Sequence, residues 1–249
     1  MLINQFLRRY KKLLISLAFA IIFLITMFNN IPTWVLAKTL NHYSQNKIKL
    51  YETRGTFWKG SGLLVAIEPQ TQQSAPLVLL NWKIKLGFSK LVDINFMIGN
   101  NSVADVYLNK HGLNLSNLNL SLSIAQVSEL FGLIKNFDLS GNINISTKEI
   151  QLGNKNQGIF NIALSSLSSG RAPINPLGDY DVMFNVNDGA IDISSSSDST
   201  LMLNGNGTMS NLSLKARIQE SKKEKMLQFI SVIGIPQPDG SYNLKIFPQ

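Results

Sequence analysis

The sequence predicts a mainly β protein, with one N-terminal transmembrane helix followed by a large curved antiparallel β-sheet (a meander, a half-barrel or a sandwich-like arrangement) and about two short helices. Three observations lead to this prediction. An uncharged apolar run follows a basic cluster near the N-terminus. Apolar and small polar residues then alternate with a period of two over most of the remaining chain. Turn-forming residues, mostly Gly beside Asn or Asp, separate the alternating runs.

The N-terminal apolar run is typical of a membrane anchor. It extends without a charge from Leu13 to Phe28. At ~1.5 Å per residue this is roughly 24 Å of helix, a little short of a ~30 Å hydrocarbon core. Continuing the helix to Ala37, with Pro32 as a kink, supplies the missing length. By the positive-inside rule the N-terminus is cytoplasmic, because four basic residues precede the run: Arg8, Arg9, Lys11 and Lys12.

Two alternatives for this segment were weighed. A cleaved secretory signal has an apolar core of about 7–15 residues and a small-residue cleavage site, whereas this core is longer and no A-x-A pattern follows it. A soluble protein with a buried helix would not require the abrupt basic flank. We therefore predict a single-pass membrane protein, divided into a cytoplasmic tail (1–12), a transmembrane anchor (13–37), a juxtamembrane connector (38–46) and a β-rich domain outside the cytoplasm (47–249).

Alternating side chains mark the strands of this domain. The run "GLNLSNLNLSLS" changes phase at Ser116-Asn117, which predicts a bulge or a tight turn there. The alternation recurs in "LSGNINIST", "DYDVMFNVN", "GAIDIS", "STLMLNG" and "NLSLKARI". One face of the sheet is therefore apolar and the other wet, as is typical of antiparallel sheets. The predicted turns include "IGNNS", "NKHG", "GNKNQG", "VNDGA", "LNGNG" and "PDGS".

Two segments replace the alternation with helical spacing. In "SIAQVSELFGLI" the residues on one face are Ile124, Val127, Leu130, Phe131 and Ile134. In "SKKEKMLQFISVIG" they are Met226, Leu227, Ile230 and Ile233. Each segment begins with a capping-box pattern, Ser123 with Gln126 in the first and Ser221 with Glu224 in the second. We predict that both helices cover an open end of the sheet rather than bind a partner.

Composition and motifs exclude most kinds of chemistry. The chain has no cysteine, so it has no disulfide and no cysteine nucleophile. Its net charge of +8 comes from residues 1–60, where nine basic residues meet one acidic residue, so nucleic acid is not the expected partner. The only histidines, His42 and His111, accompany no catalytic motif. Asp179 and Asp181 share one strand face, which fits a solvated edge better than an acid pair. We predict a non-enzyme without a cofactor or a metal.

Several short motifs follow one another from Ile31 to Ile246: "IPTWVLAKTLN", "RGTFWKGSG", "LNWKIKLG", "LSGNINIS", "NPLGDYDVMFNV" and "LQFISVIGIPQPDGSYNLKI". In this order they resemble the protein N family of the bacterial type II secretion system, also called general secretion pathway protein N. The most specific residues fall into three groups, namely Gly55, Phe57, Trp58 and Gly60; Pro176, Gly178 and Tyr180; and Gly234, Asp239, Gly240 and Tyr242.

The resemblance implies an inner-membrane-anchored, periplasmic accessory or scaffold component. It would support export of folded proteins across the outer membrane by contacting other subunits of the machine, in the inner-membrane platform or the outer-membrane channel. The family brings no active site. It also looks distantly similar to groove-shaped β-sheets of bacterial lipid-transport proteins, so a β-groove that holds lipid or another hydrophobe between the two membranes stays open as the alternative.

The motif residues are expected to be structural or contact residues. Gly55 and Gly60 would let the first strands bend, because glycine inside a strand often marks a bulge or a close approach of two backbones. Phe57 and Trp58 would face opposite sides of the strand, as successive strand residues do. One aromatic side chain could then anchor the core while the other faces the membrane or a partner.

Overall fold

Most of the described part of the chain is one antiparallel sheet of fourteen strands. The structure is a computed structural model, and it describes residues 2–68, 73–128, 137–208 and 210–244. The strands lie in chain order from β1 to β12, and only the last two exchange places, so that β14 lies beside β12 and β13 is the outer strand. The predicted antiparallel meander is therefore confirmed.

The strands are β1 (Ile48–Gly55), β2 (Lys59–Ile67), β3 (Ser74–Leu86), β4 (Val92–Ile98), β5 (Asn101–Asn109), β6 (Gly112–Ser123), β7 (Leu139–Gly153), β8 (Gln157–Ser169), β9 (Gly178–Asn185), β10 (Ala190–Ser195), β11 (Leu201–Thr208), β12 (Asn211–Ile218), β13 (Gly234–Pro236) and β14 (Tyr242–Leu244). The α-helices of the described residues are α1 (Leu2–Asn29), α2 (Trp34–Tyr43), α3 (Ile124–Ser128) and α4 (Lys223–Ile233). A 3₁₀ turn (Glu220–Lys222) precedes α4.

The N-terminal segment forms two helices, and the predicted continuation of one helix to Ala37 is wrong. α1 ends at Asn29 because Pro32 has no backbone N–H and disfavours the helical conformation in the residue before it. Pro32 instead pairs with Thr56, just after β1, and α2 begins at Trp34. Among the described residues, we find no helix that combines the length and the apolarity needed to cross a membrane.

The register keeps apolar side chains of neighbouring strands on one face. Leu120 lies opposite Ile145 on β7, Ile145 opposite Ile162 on β8, and Ile162 opposite Val182 on β9. The phase change predicted in β6 is a local irregularity within a continuous strand rather than a turn. Asn117 adopts a left-handed φ of 54° there, and the strand then runs on to Ser123.

The densest core lies where α4 packs on the last strands of the sheet. Met226 and Ile230 of α4 are fully buried, in a cluster that also contains Ala172, Leu177, Leu201, Ala216 and Ile218. The prediction that this helix covers the sheet is confirmed. The predicted capping box is wrong, because the 3₁₀ turn delays the start of α4 until Lys223. The N-cap residue is therefore Lys222, and no side chain caps the helix there.

α3 begins where the sequence predicted. The backbone N–H of Ser123 donates a hydrogen bond to Oε1 of Gln126 over 3.3 Å, which is one half of the predicted capping box. Ile124 at its start is buried. The predicted continuation of this helix lies outside the described residues and includes Leu130, Phe131 and Ile134.

The turn predicted at "LNGNG" is wrong, since Gly205 and Gly207 lie inside β11. Both glycines face close neighbours on β12. A Cβ atom on Gly205 would come within 2.7 Å of the Leu214 side chain. These glycines therefore allow two strands to pack closely, which is the other common reason for glycine inside a strand.

Candidate interaction site

The connection between β1 and β2 forms a tight corner that holds the end of α1. It consists of Thr56, Phe57 and Trp58. The N–H of Phe57 donates to the carbonyl of Ile31 over 2.8 Å, and Nε1 of Trp58 donates to the carbonyl of Phe28 over 2.6 Å. The last carbonyls of a helix lack intrahelical partners. Trp58 therefore satisfies the C-terminal end of α1 from the sheet.

Aromatic contacts reinforce these hydrogen bonds. The ring centroids of Phe28 and Trp58 are 4.5 Å apart, and those of Phe57 and Trp58 are 5.0 Å apart in an edge-to-face arrangement. Each such pair adds about 0.5–1.5 kcal/mol beyond the area it buries. The prediction that Phe57 and Trp58 face opposite sides of a strand is wrong, because β1 ends at Gly55 and strand alternation does not extend into the corner.

Trp82 of β3 supports the corner from beneath. Its side chain is fully buried, and its Nε1 donates to the carbonyl of Phe57 over 3.0 Å. The N–H of Ile84 donates to the carbonyl of Trp58 over 2.7 Å. Sequence analysis did not single out Trp82. The signal that could have identified it is the tryptophan of the motif "LNWKIKLG", which alternates onto the inward-facing side of β3. There Trp82 lies opposite Gly60 of β2.

The two glycines of the first motif let the backbone and Trp82 approach each other. Gly55 lies opposite Gly60, and its φ of 92° is in the region that favours glycine. A Cβ atom on Gly60 would lie 2.6 Å from both the Arg54 carbonyl oxygen and the Trp82 ring. A side chain at Gly60 would therefore displace the residue on which the corner rests.

The second motif lies at the start of β9, beside the α4 core. Tyr180 is buried, and burial raises the pKa of its phenol well above the ordinary value. Its hydroxyl donates to the carbonyl of Leu201 over 2.8 Å. Gly178 has a φ of 152°. The carbonyl of Pro176 accepts a hydrogen bond from Oγ1 of Thr200 over 2.9 Å. Pro176, Gly178 and Tyr180 therefore all lie where the start of β9 packs against the start of β11.

The third motif shapes the β13–β14 hairpin. A Cβ atom on Gly234 would lie 3.0 Å from Cβ of Tyr242, and Tyr242 packs against the α4 core. Asp239 accepts a hydrogen bond from the N–H of Ser241 over 3.0 Å, and the hydrogen bonds from Ser241 lower the pKa of the Asp239 carboxyl. Gly240 has a φ of 77° in the turn. The hairpin thereby closes the sheet beside β12.

The predicted residues thus gather at two separate places, four at the corner and seven around the α4 core. The residues that the structure describes include no group of three or more His, Cys, Asp or Glu side chains that could hold a metal ion. The Asp179 carboxylate accepts a hydrogen bond from the backbone N–H of Ser166 over 2.6 Å, so it has a structural partner. Asp188 similarly accepts a hydrogen bond from the backbone N–H of Ala190 within a hairpin turn.

Comparison with protein families gives a match over most of the chain. The family model described as "Type II secretion system (T2SS), protein N" matches residues 46–245. Among curated proteins and among solved structures, no match to the chain reaches significance. The matched region contains all fourteen strands, the corner and the α4 core, and it leaves α1 and α2 outside.

Proposed function

Because the chain belongs to the protein N family of the type II secretion system, we propose that it is an inner-membrane-anchored periplasmic accessory that supports export of folded proteins across the outer membrane through protein contacts. Family membership makes the chain a component of this machinery and associates it with the cell envelope. The family is not one of known enzymes. The observation that carries the proposal is the match over the entire sheet.

In this proposal α1 is the membrane anchor, with its N-terminus in the cytoplasm; the proposal rests on the uncharged apolar run of the sequence and not on a spanning helix found in the structure. The run from Leu13 to Phe28 carries no charge, and every side chain in it is exposed. An apolar surface of this extent indicates a region that lipid or protein covers. The basic residues that precede it favour a cytoplasmic N-terminus.

The corner supports the scaffold role because it fixes the sheet to this helix. Two hydrogen bonds and the Phe28–Trp58 ring contact hold the end of α1 against the β1–β2 connection. The sheet would therefore keep a set orientation relative to the membrane. A protein that acts by contact needs this, since its edges must meet partner subunits at a defined height.

The test is genetic deletion combined with photocrosslinking of the full-length protein in cells. Deletion should leave folded exoproteins in the periplasm or slow their release. A photoreactive residue at Tyr51, exposed on the edge strand β1, should crosslink to inner-membrane subunits of the machine. The same residue at fully buried Trp82 is the control that should give no crosslink. Normal secretion after deletion, together with no crosslink from Tyr51, would refute the proposal.

A β-groove that holds lipid or another hydrophobe is the second candidate, and one observation favours it. We define the middle apolar face as Leu118, Leu120, Leu122, Ile143, Ile145, Ile162, Leu164, Val182, Phe184, Ile191 and Ile193. These side chains share one face of β6–β10 through the strand register. None of them is buried. An acyl chain would cover such a surface.

The groove can be separated from lipid bound around α1. Native mass spectrometry of the detergent-extracted full-length protein would compare the wild type with Leu120→Glu/Ile162→Glu on the middle apolar face. Leu79→Glu, at an exposed position on β3, is the control. A groove predicts that phospholipid is lost only in the double variant. If the three proteins keep the same lipid, the groove is refuted and the scaffold role is unaffected.

A further inference from the structure

We propose that the end of the sheet beside α1 rests on the membrane surface, and that the β3–β4 turn inserts Phe88 into the lipid interface. The apolar residues that would make this contact are called the rim: Leu86, Phe88, Leu91, Leu108, Leu113 and Leu152. The proposal rests on the anchoring of α1 proposed above and adds a second lipid contact, made by the sheet itself.

The meander order determines which turns lie beside α1. Neighbouring strands alternate in direction, so the β3–β4, β5–β6 and β7–β8 turns lie at the same end of the sheet as the corner. The hydrogen bond between Ile84 and Trp58 joins the corner directly to β3. Leu86 lies about 7 Å beyond this bond at ~3.3 Å per residue, and the β3–β4 turn follows it. The turn therefore extends past the place where α1 leaves the sheet.

Apolar side chains are exposed at this end of the sheet and buried two residues further along the strands. The register places in one row Leu86, Val92, Leu108, Leu113 and Leu152. Phe88 is completely exposed at the tip of the β3–β4 turn, while the leucines of the rim are 39–56% exposed. Ile84 and Ile150, two residues further into β3 and β7, are buried. A contiguous exposed apolar patch of this kind marks an interaction surface.

The charges at this end suit anionic lipid. The three turns beyond the rim each carry a lysine and no acidic residue, namely Lys90, Lys110 and Lys155. Of these, Lys90 also pairs with Asp93 at the start of β4, over 3.9 Å. Lys59 also lies directly opposite Lys83 on the neighbouring strand. Like charges in this arrangement destabilise a sheet unless an anion lies nearby. Phospholipid headgroups provide that negative charge.

The position of α1 favours a bilayer over a protein partner. α1 leaves the sheet at the corner, and each of its described side chains is exposed. A bilayer around α1 would therefore also meet the neighbouring turns at this end of the sheet. Trp34, at the start of α2, is exposed at the same end, as expected for an interfacial aromatic residue. Apolar side chains bordered by lysines are typical of segments that lie in a membrane interface.

The absence of cysteine from the sequence makes a site-specific test straightforward. Single-cysteine variants Phe88→Cys, Asn100→Cys and Phe19→Cys of the full-length protein would be spin-labelled and reconstituted into vesicles of phosphatidylethanolamine and phosphatidylglycerol. Collisions with oxygen report lipid, and collisions with a nickel chelate report water. Asn100 is the matched control, because it is exposed in the β4–β5 turn at the opposite end of the sheet. We expect the labels at positions 19 and 88 to collide mainly with oxygen, which reports lipid, and the label at position 100 to collide mainly with the nickel chelate, which reports water.

The outcomes separate this inference from the proposed anchor. If the label at position 88 reports water while the label at position 19 reports lipid, the inference is overturned and the anchor is unaffected. Water at both positions would overturn both. A label at position 88 that neither reagent reaches would mean that protein covers the rim, and this would also overturn the inference.

The lysines give a second test. In the Phe88→Cys protein, Lys90, Lys110 and Lys155 would be changed together to Gln. The ratio of lipid-inserted to water-exposed label should fall roughly fivefold each for Lys110 and Lys155 at low salt, and by less for Lys90, because Lys90 is paired with Asp93. The control changes Lys215, Lys223 and Lys225 to Gln, an equal change of charge on β12 and α4. No change in the ratio for the first triple variant, or an equal fall for both, would overturn the inference.

Discussion

The apolar face of the sheet is buried in one region and only partly covered in another. On β11 and β12, Leu201, Ala216 and Ile218 are buried in the cluster completed by α4. On the middle apolar face, none of the eleven side chains is buried. The same alternation of apolar and polar residues produces both regions. Alternation therefore specifies a face, whereas the helix that follows β12 decides which part of it becomes a core.

The largest expected effect is the loss of a side chain from the covered region. Met226→Ala should lower the free energy of unfolding by about 2–5 kcal/mol, because it removes a fully buried side chain and leaves a cavity. Denaturant titration of the full-length protein in detergent measures this change. Val232→Ala, at an exposed position on the same helix, should change stability by less than about 0.5 kcal/mol. Similar costs for the two variants would mean that α4 does not build a core.

Gly178→Ala should cause the next largest loss of stability. The new Cβ atom would clash with the Ser199 side chain, and the φ of 152° disfavours any side chain. Together these should cost about 1–3 kcal/mol of stability. Gly240→Ala isolates the backbone contribution, because a Cβ there has positive φ but meets no neighbour within 4 Å. If Gly178→Ala is no worse than Gly240→Ala in the same titration, the close packing of β9 is not needed.

Alkaline pH should weaken the covered region through Tyr180. Burial raises the pKa of Tyr180, so above pH ~10 the unfolded chain loses a proton that the folded protein keeps. Stability is therefore complete below that pH and should fall by about 1.4 kcal/mol per pH unit above it. Tyr180→Phe should remove this part of the slope while costing about 1 kcal/mol for the lost hydrogen bond. Identical slopes for both proteins between pH 9 and 11 would show that Tyr180 is accessible to water.

The smallest effect is expected on the middle apolar face. Leu120→Ala removes a side chain that is only half-buried, so its cost should be no more than about 1 kcal/mol. The titration used for Met226→Ala provides the comparison. A cost of several kcal/mol would mean that this face is covered in the intact protein, and the contrast between the two regions would then be wrong.

How much the sequence could predict depends on the distance over which each contact acts. The meander followed from period-two runs and turns, which are local signals, and the lid formed by α4 followed from its helical spacing. The residues of the corner were predicted, but their contacts with Trp82 and with the end of α1 were missed, because these contacts join distant residues. Trp82 reaches Phe57 across 25 positions and Trp58 reaches Phe28 across 30. No local pattern specifies such a pair. The turn predicted at "LNGNG" was wrong for the same reason, because these glycines are required by close contacts with the next strand, Gly205 with Leu214 and Gly207 with the backbone of Asn211.

The near-sequential strand order also has a consequence for the kinetics of folding. From β1 to β12 each strand pairs with the one made just before it, and proteins whose contacts are local in sequence fold fast. A chain that emerges gradually during its synthesis can thus add one strand at a time to an existing edge. The exception is the C-terminus, since β14 reaches β12 only after α4 and β13 have formed. A nascent chain that stops before Lys223 should therefore display its sheet with Leu201 and Ala216 uncovered, which is the kind of exposed apolar surface that leads to aggregation.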